Sequence, residues 1–204
     1  MTRIKSARPE ASYNRAHLLA TEEPVAKTLL LYHSGYGHTR RITERIRDRM
    51  EALNEPAEVL PLDENAPSPD GYDRIAIGAS IRNGKHAPIV HEYIRKHQAR
   101  IEAIPNSFFS VNLVARKPEK NTPETNPYLK SFLEQCPWKP ELIGLFAGDL
   151  DYQKYGVFDR TAIRLIMWMT KGPTDPKTKK EYTDWDEVDR YAERLAALQV
   201  RRAA

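Results

Sequence analysis

Short apolar runs alternate with stretches of helical period along this chain. The first run, Thr28-Leu29-Leu30-Leu31-Tyr32, leads through Ser34-Gly35-Tyr36-Gly37-His38-Thr39 into a stretch with Ile42, Ile46, Met50 and Leu53 at spacings of four, four and three. A strand followed by an amphipathic helix gives that pattern. Ala57–Leu60 reads as a second strand and Asp63–Gly71, with Pro67 and Pro69, as a loop. Tyr72–Gly78 is a third strand. Pro88 then opens a helix carrying Ile89, Tyr93, Ile94, His97 and Ile101. Phe108–Val111 and Leu142–Ala147 are a fourth and a fifth strand, separated by a helix with Leu129, Phe132, Leu133 and Cys136. The last helix starts at the Thr183-Asp184 cap and presents Trp185, Val188, Ala192, Leu195 and Ala196 on one face. Strands alternating with helices predict an α/β fold in which a five-stranded parallel sheet is covered on both faces. Nearly continuous apolar strands fit that burial.

In such sheets ligands bind beyond the carboxyl ends of the strands, where the strand order reverses. Four of the loops at those ends carry Gly, Ser, Asn or Arg where a plain connection needs only a turn. They are Ser34–Thr39, Ala79–His86, Asn112–Pro118 and Gly148–Tyr152. The first is suited to a phosphate. Backbone N–H groups at a helix start have no partner, and the helix dipole favours an anion there. Gly35 and Gly37 are free to take positive φ, and Ser34 and Thr39 add hydroxyls. The plain alternative is a strand–helix turn with Thr39 as its N-cap.

Composition narrows the setting. The chain has 204 residues, 40% hydrophobic and 29% charged, with a net charge of +4. That is enough for one well-buried domain. No run approaches the roughly 18–20 apolar residues of a membrane span. The single cysteine, Cys136, excludes an intramolecular disulfide and a multi-cysteine zinc site, and fits a reducing cytoplasm. The basic balance suits anionic ligands or an anionic membrane surface; no nucleic-acid-reading motif matches. His33, His38, His86, His91 and His97 scatter over different elements without metal-ligand spacing. His86 reads either as a solvated loop side chain or as a proton carrier. Residues 1–26 lack apolar periodicity and the apolar core of a secretory signal, which predicts a flexible extension or a misassigned start.

With these loops in view, the chain resembles the flavodoxins, whose phosphate loop reads Ser/Thr-x-Thr-Gly-x-Thr. Ser34, Gly37 and Thr39 match, and Tyr36 stands where the middle threonine would be. The resemblance is closer to the bacterial quinone-dependent protoporphyrinogen oxidases, flavodoxin-like enzymes of haem synthesis. It rests on Ile77–His86 (IGASIRNGKH), Ser110–Lys120 (SVNLVARKPEK) and Tyr182-Thr183-Asp184-Trp185. It implies a flavodoxin-like domain over residues 27–200 with an insertion of about 151–181 near the fifth strand. It also implies FMN, with protoporphyrinogen IX as donor and menaquinone or ubiquinone as acceptor. By position, Ser34, Gly35, Tyr36, Gly37, His38 and Thr39 would hold the phosphate. Ser80, Ile81, Arg82, Asn83 and Gly84, and Asn112, Leu113, Val114, Ala115 and Arg116, would flank the flavin ring. Asp149, Leu150 and Tyr152 would close the third side, and apolar planes such as Ile81, Leu113 and Leu150 would lie against it. Arg82, Lys85, Arg116 and Lys117 are either solvated or paired with substrate carboxylates. A single-electron flavodoxin carrier and an NAD(P)H-dependent quinone reductase are the alternatives. The basic balance speaks against the first, and the want of a second dinucleotide fingerprint against the other.

The insertion contains a helical stretch, Phe158–Lys171 (FDRTAIRLIMWMTK), stopped by Gly172-Pro173. Phe158, Ala162, Leu165, Ile166 and Met169 share one face. Arg160, Arg164 and Lys171 fall opposite, within about 40° of one another, with Met167 breaking their stripe and Ile163 and Trp168 at the flanks. Two placements follow: a helix packed on the domain by its apolar face, or one lying in the surface of an anionic membrane, here the cytoplasmic face of the inner membrane.

Overall fold

The computed structural model describes residues 26–169 and 172–201, without the side chains of Phe158 and Asp159. The expected extension, apart from Ala26, and Lys171 of the basic stripe lie outside the described residues, as does the Phe158 side chain.

Five strands form the parallel sheet: β1 (Thr28–His33), β2 (Ala57–Pro61), β3 (Arg74–Ser80), β4 (Asn106–Asn112) and β5 (Leu142–Ala147). Their order is β2-β1-β3-β4-β5. Every pairing is parallel, with Leu31 opposite Leu60 and Ile77, and Phe108 opposite Ile77 and Ile143. From β1 the chain steps to one side and then crosses to the other, so the reversal of order falls between β1 and β3. Helices α1 (His38–Glu51) and α5 (Trp185–Ala196) cover one face, and α2 (Pro88–Ala103) and α3 (Pro127–Gln135) the other.

Period-two geometry divides β1 between the two cores. Leu29 and Leu31 join Ile77, Ile94, Phe108 and Trp138, whereas Leu30 joins Ile42, Ile46, Phe109 and Tyr191. Gly78 makes room for Phe109: a Cβ there would lie 2.0 Å from the phenyl Cζ. Truncating a buried phenylalanine of this kind costs about 3–5 kcal/mol. Ion pairs lace α1 to α5 on the outside, among them Arg45–Asp189 at 2.6 Å and Arg49–Glu193. They are half-exposed, so each adds at most about 1 kcal/mol.

Four local expectations change. The third strand starts at Arg74, not Tyr72, because the Tyr72 N–H turns back to the Pro69 carbonyl (3.3 Å) and pairing with β1 begins at Thr28 opposite Arg74, itself a buried cation. Its guanidinium donates to Thr28 Oγ1 (3.2 Å), Glu55 (3.1 Å) and the Ala196 and Leu198 carbonyls (2.9 and 3.0 Å). It thereby caps the carboxyl end of α5 and ties it under the sheet. Thr39 is not the cap of α1; Gly37 is, at φ 87°, and the helix begins two residues earlier than a Thr39 cap implies, at His38. Leu53 falls beyond the helix and is 41% exposed. The insertion has a base that was not anticipated: β6 (Asp149–Asp151) and β7 (Lys179–Glu181) pair antiparallel, with α4 (Val157–Met169) between them.

Replacing Arg74 with methionine leaves two helix-end carbonyls and Thr28 without their donor. Such groups cost about 1–3 kcal/mol when buried and unpaired. Urea unfolding of Arg74→Met is expected to show a loss in that range at an unchanged m-value; an unchanged midpoint would contradict the capping role.

Candidate functional site

A cavity of about 370 Å³ opens at the carboxyl ends of the strands, a size suited to a small ligand. Ser34, Gly35, Tyr36, His38 and Thr39 form its floor, from the turn between β1 and α1. The turn is internally braced. Gly37 N–H donates to Ser34 Oγ (2.9 Å), and Gly35 N–H to Ser80 Oγ (3.3 Å), which in turn donates to the His33 carbonyl (3.4 Å). Thr39 is 1% exposed and lines the cavity, yet its hydroxyl has no partner. A buried hydroxyl left unpaired is costly unless a ligand takes it. No acid occupies the first turn of α1, and the first-turn N–H groups have no carbonyl behind them. The floor therefore suits an anion.

The loop after β3 supplies Ser80, Ile81, Arg82, Asn83 and Gly84. It is a tight hairpin in which the Arg82 and Lys85 backbones exchange hydrogen bonds of 3.0 and 3.2 Å. Asn83 and Gly84 sit at φ 50° and 80°, the conformations that a two-residue primed turn requires. The loop after β4 is a 3₁₀ turn over Leu113–Arg116, capped by Asn112, whose Oδ1 accepts from Ala115 N–H (3.1 Å) and from Asn126 (3.2 Å). Asn112, Leu113, Val114 and Arg116 line the cavity, whereas Ala115 is buried behind them.

Of the third group, Asp149 lines the cavity and Leu150 and Tyr152 do not. Both of these are fully buried beneath the wall, Tyr152 with its hydroxyl on the Pro173 carbonyl (2.7 Å). Leu150 thus offers no plane to a ligand. Gly37 also stays off the surface of the cavity. Arg82 and Arg116 line it, their guanidinium carbons each 5.9 Å from a tyrosine ring centre, Tyr36 and Tyr182 respectively. Lys85 is exposed on the hairpin, and Lys117 lies 4.0 Å from Glu119; neither lines the cavity.

Helix α4 roofs the cavity with Ala162, Ile163, Ile166 and Met167. Of the apolar face expected from sequence, Ala162 and Ile166 line the cavity, but the packed side is rotated from the rest of it. Met167, placed in the cationic stripe by sequence, is 1% exposed and packs with Leu150, Tyr152 and Tyr155. Leu165 and Met169, placed on the apolar face, are 55% and 62% exposed, beside Trp168 at 71%. The reason is that carbonyls line the packed side: Arg160 donates to Tyr155 (3.2 Å) and Arg164 to Thr174 (3.0 Å). Tyr155 closes the roof against Tyr36, ring centres 4.8 Å apart, and its hydroxyl pKa is pushed up to about 12 by burial. Tyr128, Tyr155 and the inner residues of α4 are lining residues that sequence reasoning missed. Only Tyr155 carried a signal, as an aromatic just beyond the fourth odd loop.

His86 is not a solvated loop side chain. It is buried edge-on to Phe108 and Phe132, with Nε2 3.0 Å from Ser110 Oγ. Burial lowers its pKa from 6.5 to about 3. A neutral imidazole there braces the two loops and carries no proton near neutrality. Among the described residues, no three His, Cys, Asp or Glu side chains gather to hold a metal.

A flavodoxin-domain family model matches residues 29–177. The protoporphyrinogen IX dehydrogenase [quinone] of Escherichia coli strain K12 is 41% identical over 173 residues, 84% of this chain and 96% of that enzyme. The enzyme of the same name from Leishmania major is 41% identical over 182 residues, 88% of this chain and 78% of its own. Among solved structures, the two-electron-reduced flavodoxin of Megasphaera elsdenii aligns over 82% of this chain and 98% of its own, at 11% identity and a TM-score of 0.49.

Because folded His86 titrates near 3 and an unfolded histidine near 6.5, the unfolded chain binds the extra proton first. Stability is therefore lost as pH falls below 6.5 toward 3. His86→Gln keeps a hydrogen-bond donor and removes that titration. Urea unfolding at pH 7 and pH 4.5 is expected to show a smaller loss in the variant; equal losses would contradict this assignment.

Proposed function

The chain belongs to the flavodoxin-domain family, and we propose that it acts as the curated relatives it matches are named, oxidising protoporphyrinogen IX to protoporphyrin IX with a quinone as acceptor. FMN is its cofactor and porphyrin biosynthesis its setting. The observation that carries this reading is 41% identity spread over 96% of the E. coli enzyme. A carrier flavodoxin or a nicotinamide-dependent reductase has no comparable support.

The residues fit FMN. The unpaired, buried Thr39 hydroxyl and the first-turn N–H groups of α1 supply donors for the phosphate, and Ser34 adds its hydroxyl hydrogen. The hairpin at Arg82–Lys85 and the turn at Leu113–Arg116 stand on either side of the space for the ring, with Ile81, Leu113 and the inner face of α4 as apolar planes. Bound FMN supplies the redox chemistry, taking electron pairs from the porphyrinogen and delivering them to the quinone. The chain supplies placement and electrostatics. Arg82 and Arg116 put two cations at the mouth, where the carboxylates of the tetrapyrrole would pair. Tyr155 and Met167 of the roof, closed against Tyr36 of the floor, keep water from the ring.

The outer face of α4 extends the reading to the membrane. Val157, Leu165, Trp168 and Met169 present bulky apolar groups outward, more than half exposed, while no helix among the described residues is long and apolar enough to cross a membrane. Such a face lies in a lipid surface, where menaquinone or ubiquinone is dissolved. We propose on this ground that the protein sits on the inner membrane from the cytoplasmic side, a reading that the exposed apolar face of α4 supports.

Three outcomes are expected. Thr39→Val weakens FMN binding about tenfold or more, the worth of a hydrogen bond to a charged group, without weakening riboflavin; equal effects on both would move the phosphate elsewhere. Anaerobically, the FMN-loaded protein forms fluorescent porphyrin from protoporphyrinogen and quinone and does not oxidise NADPH; turnover of NADPH alone would favour the reductase. Leu165, Trp168 and Met169 changed together to serine abolish sedimentation with anionic liposomes in a folded protein, and undiminished sedimentation would sink the membrane contact.

A further inference from the structure

His38 is the first helical residue of α1, it is 6% exposed, and its side chain turns away from the sheet toward the base of the insertion. Nε2 lies 2.6 Å from Thr183 Oγ1. The one hydroxyl hydrogen of Thr183 goes to the Ala147 carbonyl (2.7 Å). Thr183 can therefore only accept from the ring, so Nε2 carries a hydrogen in either charge state. The other nitrogen is held between opposite charges. Nδ1 is 3.5 Å from Asp149 and 3.5 Å from Arg41 Nη1. Unprotonated, its lone pair faces the guanidinium; protonated, it faces the carboxylate.

The charges around the ring come from four places. Arg41 stands on α1, Asp149 on β6, Glu181 on β7 and Lys154 just after β6. The remaining neighbour, Trp185 of α5, is neutral, its ring centre 6.2 Å away. Burial lowers the pKa most; Asp149 and Glu181 work against it, while Arg41 and Lys154 add to it. The balance leaves the ring below its ordinary 6.5, so a nearby negative charge tips it. His38 lines the same cavity as Thr39, the residue whose hydroxyl is left for the phosphate.

We infer that His38 is a positioning residue that takes up a proton on Nδ1 when the FMN phosphate binds the adjacent turn, and that the imidazolium then pairs with Asp149 and fastens the base of the insertion to that turn. The proton comes from solvent, and no other bond changes. This rests on the FMN reading above. Its sign follows from linkage. The complex has a higher His38 pKa than the free protein, so the added affinity is fully present below the free-protein value and fades as pH rises through the value in the complex. The second ionisation of the phosphate, near 6, works the opposite way, which makes the comparison with a non-titrating variant the informative one.

Calorimetric titration of the FMN-free protein with FMN at pH 7, in buffers of different ionisation enthalpy, counts the protons taken up. Wild type is expected to take up more than His38→Gln, which keeps a donor to Thr183 and cannot titrate. Between the two pKa values the wild-type affinity relative to the variant approaches a change of about tenfold per pH unit. Asp149→Asn is expected to reduce the uptake, and riboflavin, which lacks the phosphate, to cause none in any of the proteins. Should the glutamine variant not fold, the ¹⁵N shift of His38 Nδ1 in wild type reads the same event, moving toward the protonated value on FMN addition. Equal proton numbers in wild type and His38→Gln, or an unmoved shift, overturn the proposal. Failure of wild type to bind FMN at all overturns the cofactor reading instead.

Discussion

A parallel sheet buried on both faces has to settle the hydrogen-bonding demand of its backbone at its two ends, and at the carboxyl end of β1 that happens in the turn Ser34–Thr39. Serine hydroxyls satisfy two of its N–H groups, one within the turn and one from β3. What is left over is the Thr39 hydroxyl, buried without a partner in a residue that lines the cavity, and the N–H groups at the start of α1. The positive φ of Gly37 lets the chain enter the helix at His38 and so brings both leftovers beside the same cavity. The hairpin at Asn83-Gly84 and the Asn112-capped turn then hold two walls at the distance that the sheet spacing imposes.

Helix α4 joins that cavity to whatever lies outside it. One side, carrying Ile163 and Met167, seals the roof, and the other offers Leu165, Trp168 and Met169 outward. A helix apolar on two sides with its arginines spent on domain carbonyls has little left to keep it in water. The same 13 residues thus roof the cavity and carry an exposed apolar face.

The five strands and their flanking helices were legible in sequence because both faces of the sheet are covered, which makes runs such as TLLLYH apolar throughout. The turn at Ser34–Thr39 and the loops at Ser80 and Asn112 were legible as well, since their glycines, hydroxyls and amides serve backbone geometry that only such residues supply. What was hidden depends on partners distant in the chain. Arg74 reads as a surface cation until the carbonyls ending α5 come under it. His86 reads as a loop residue until Phe108 and Phe132 close round it. The packed side of α4 shifts toward Met167 because that residue finds Leu150, Tyr152 and Tyr155, which periodicity within the helix does not reveal. β6 and β7 are three residues each and carry mixed charges, so no period marks them.

The central claim is that one cavity, floored by the Ser34–Thr39 turn and roofed by α4, holds the FMN. Amide hydrogen exchange of the FMN-loaded against the stripped protein tests it most directly. The account predicts slowed exchange at the turn and first helical residues of α1, at Ile81–Gly84, at Leu113–Arg116 and across the inner residues of α4. Protection confined to other segments, such as the outer surface of α1 and α5, with those four unchanged, would contradict it.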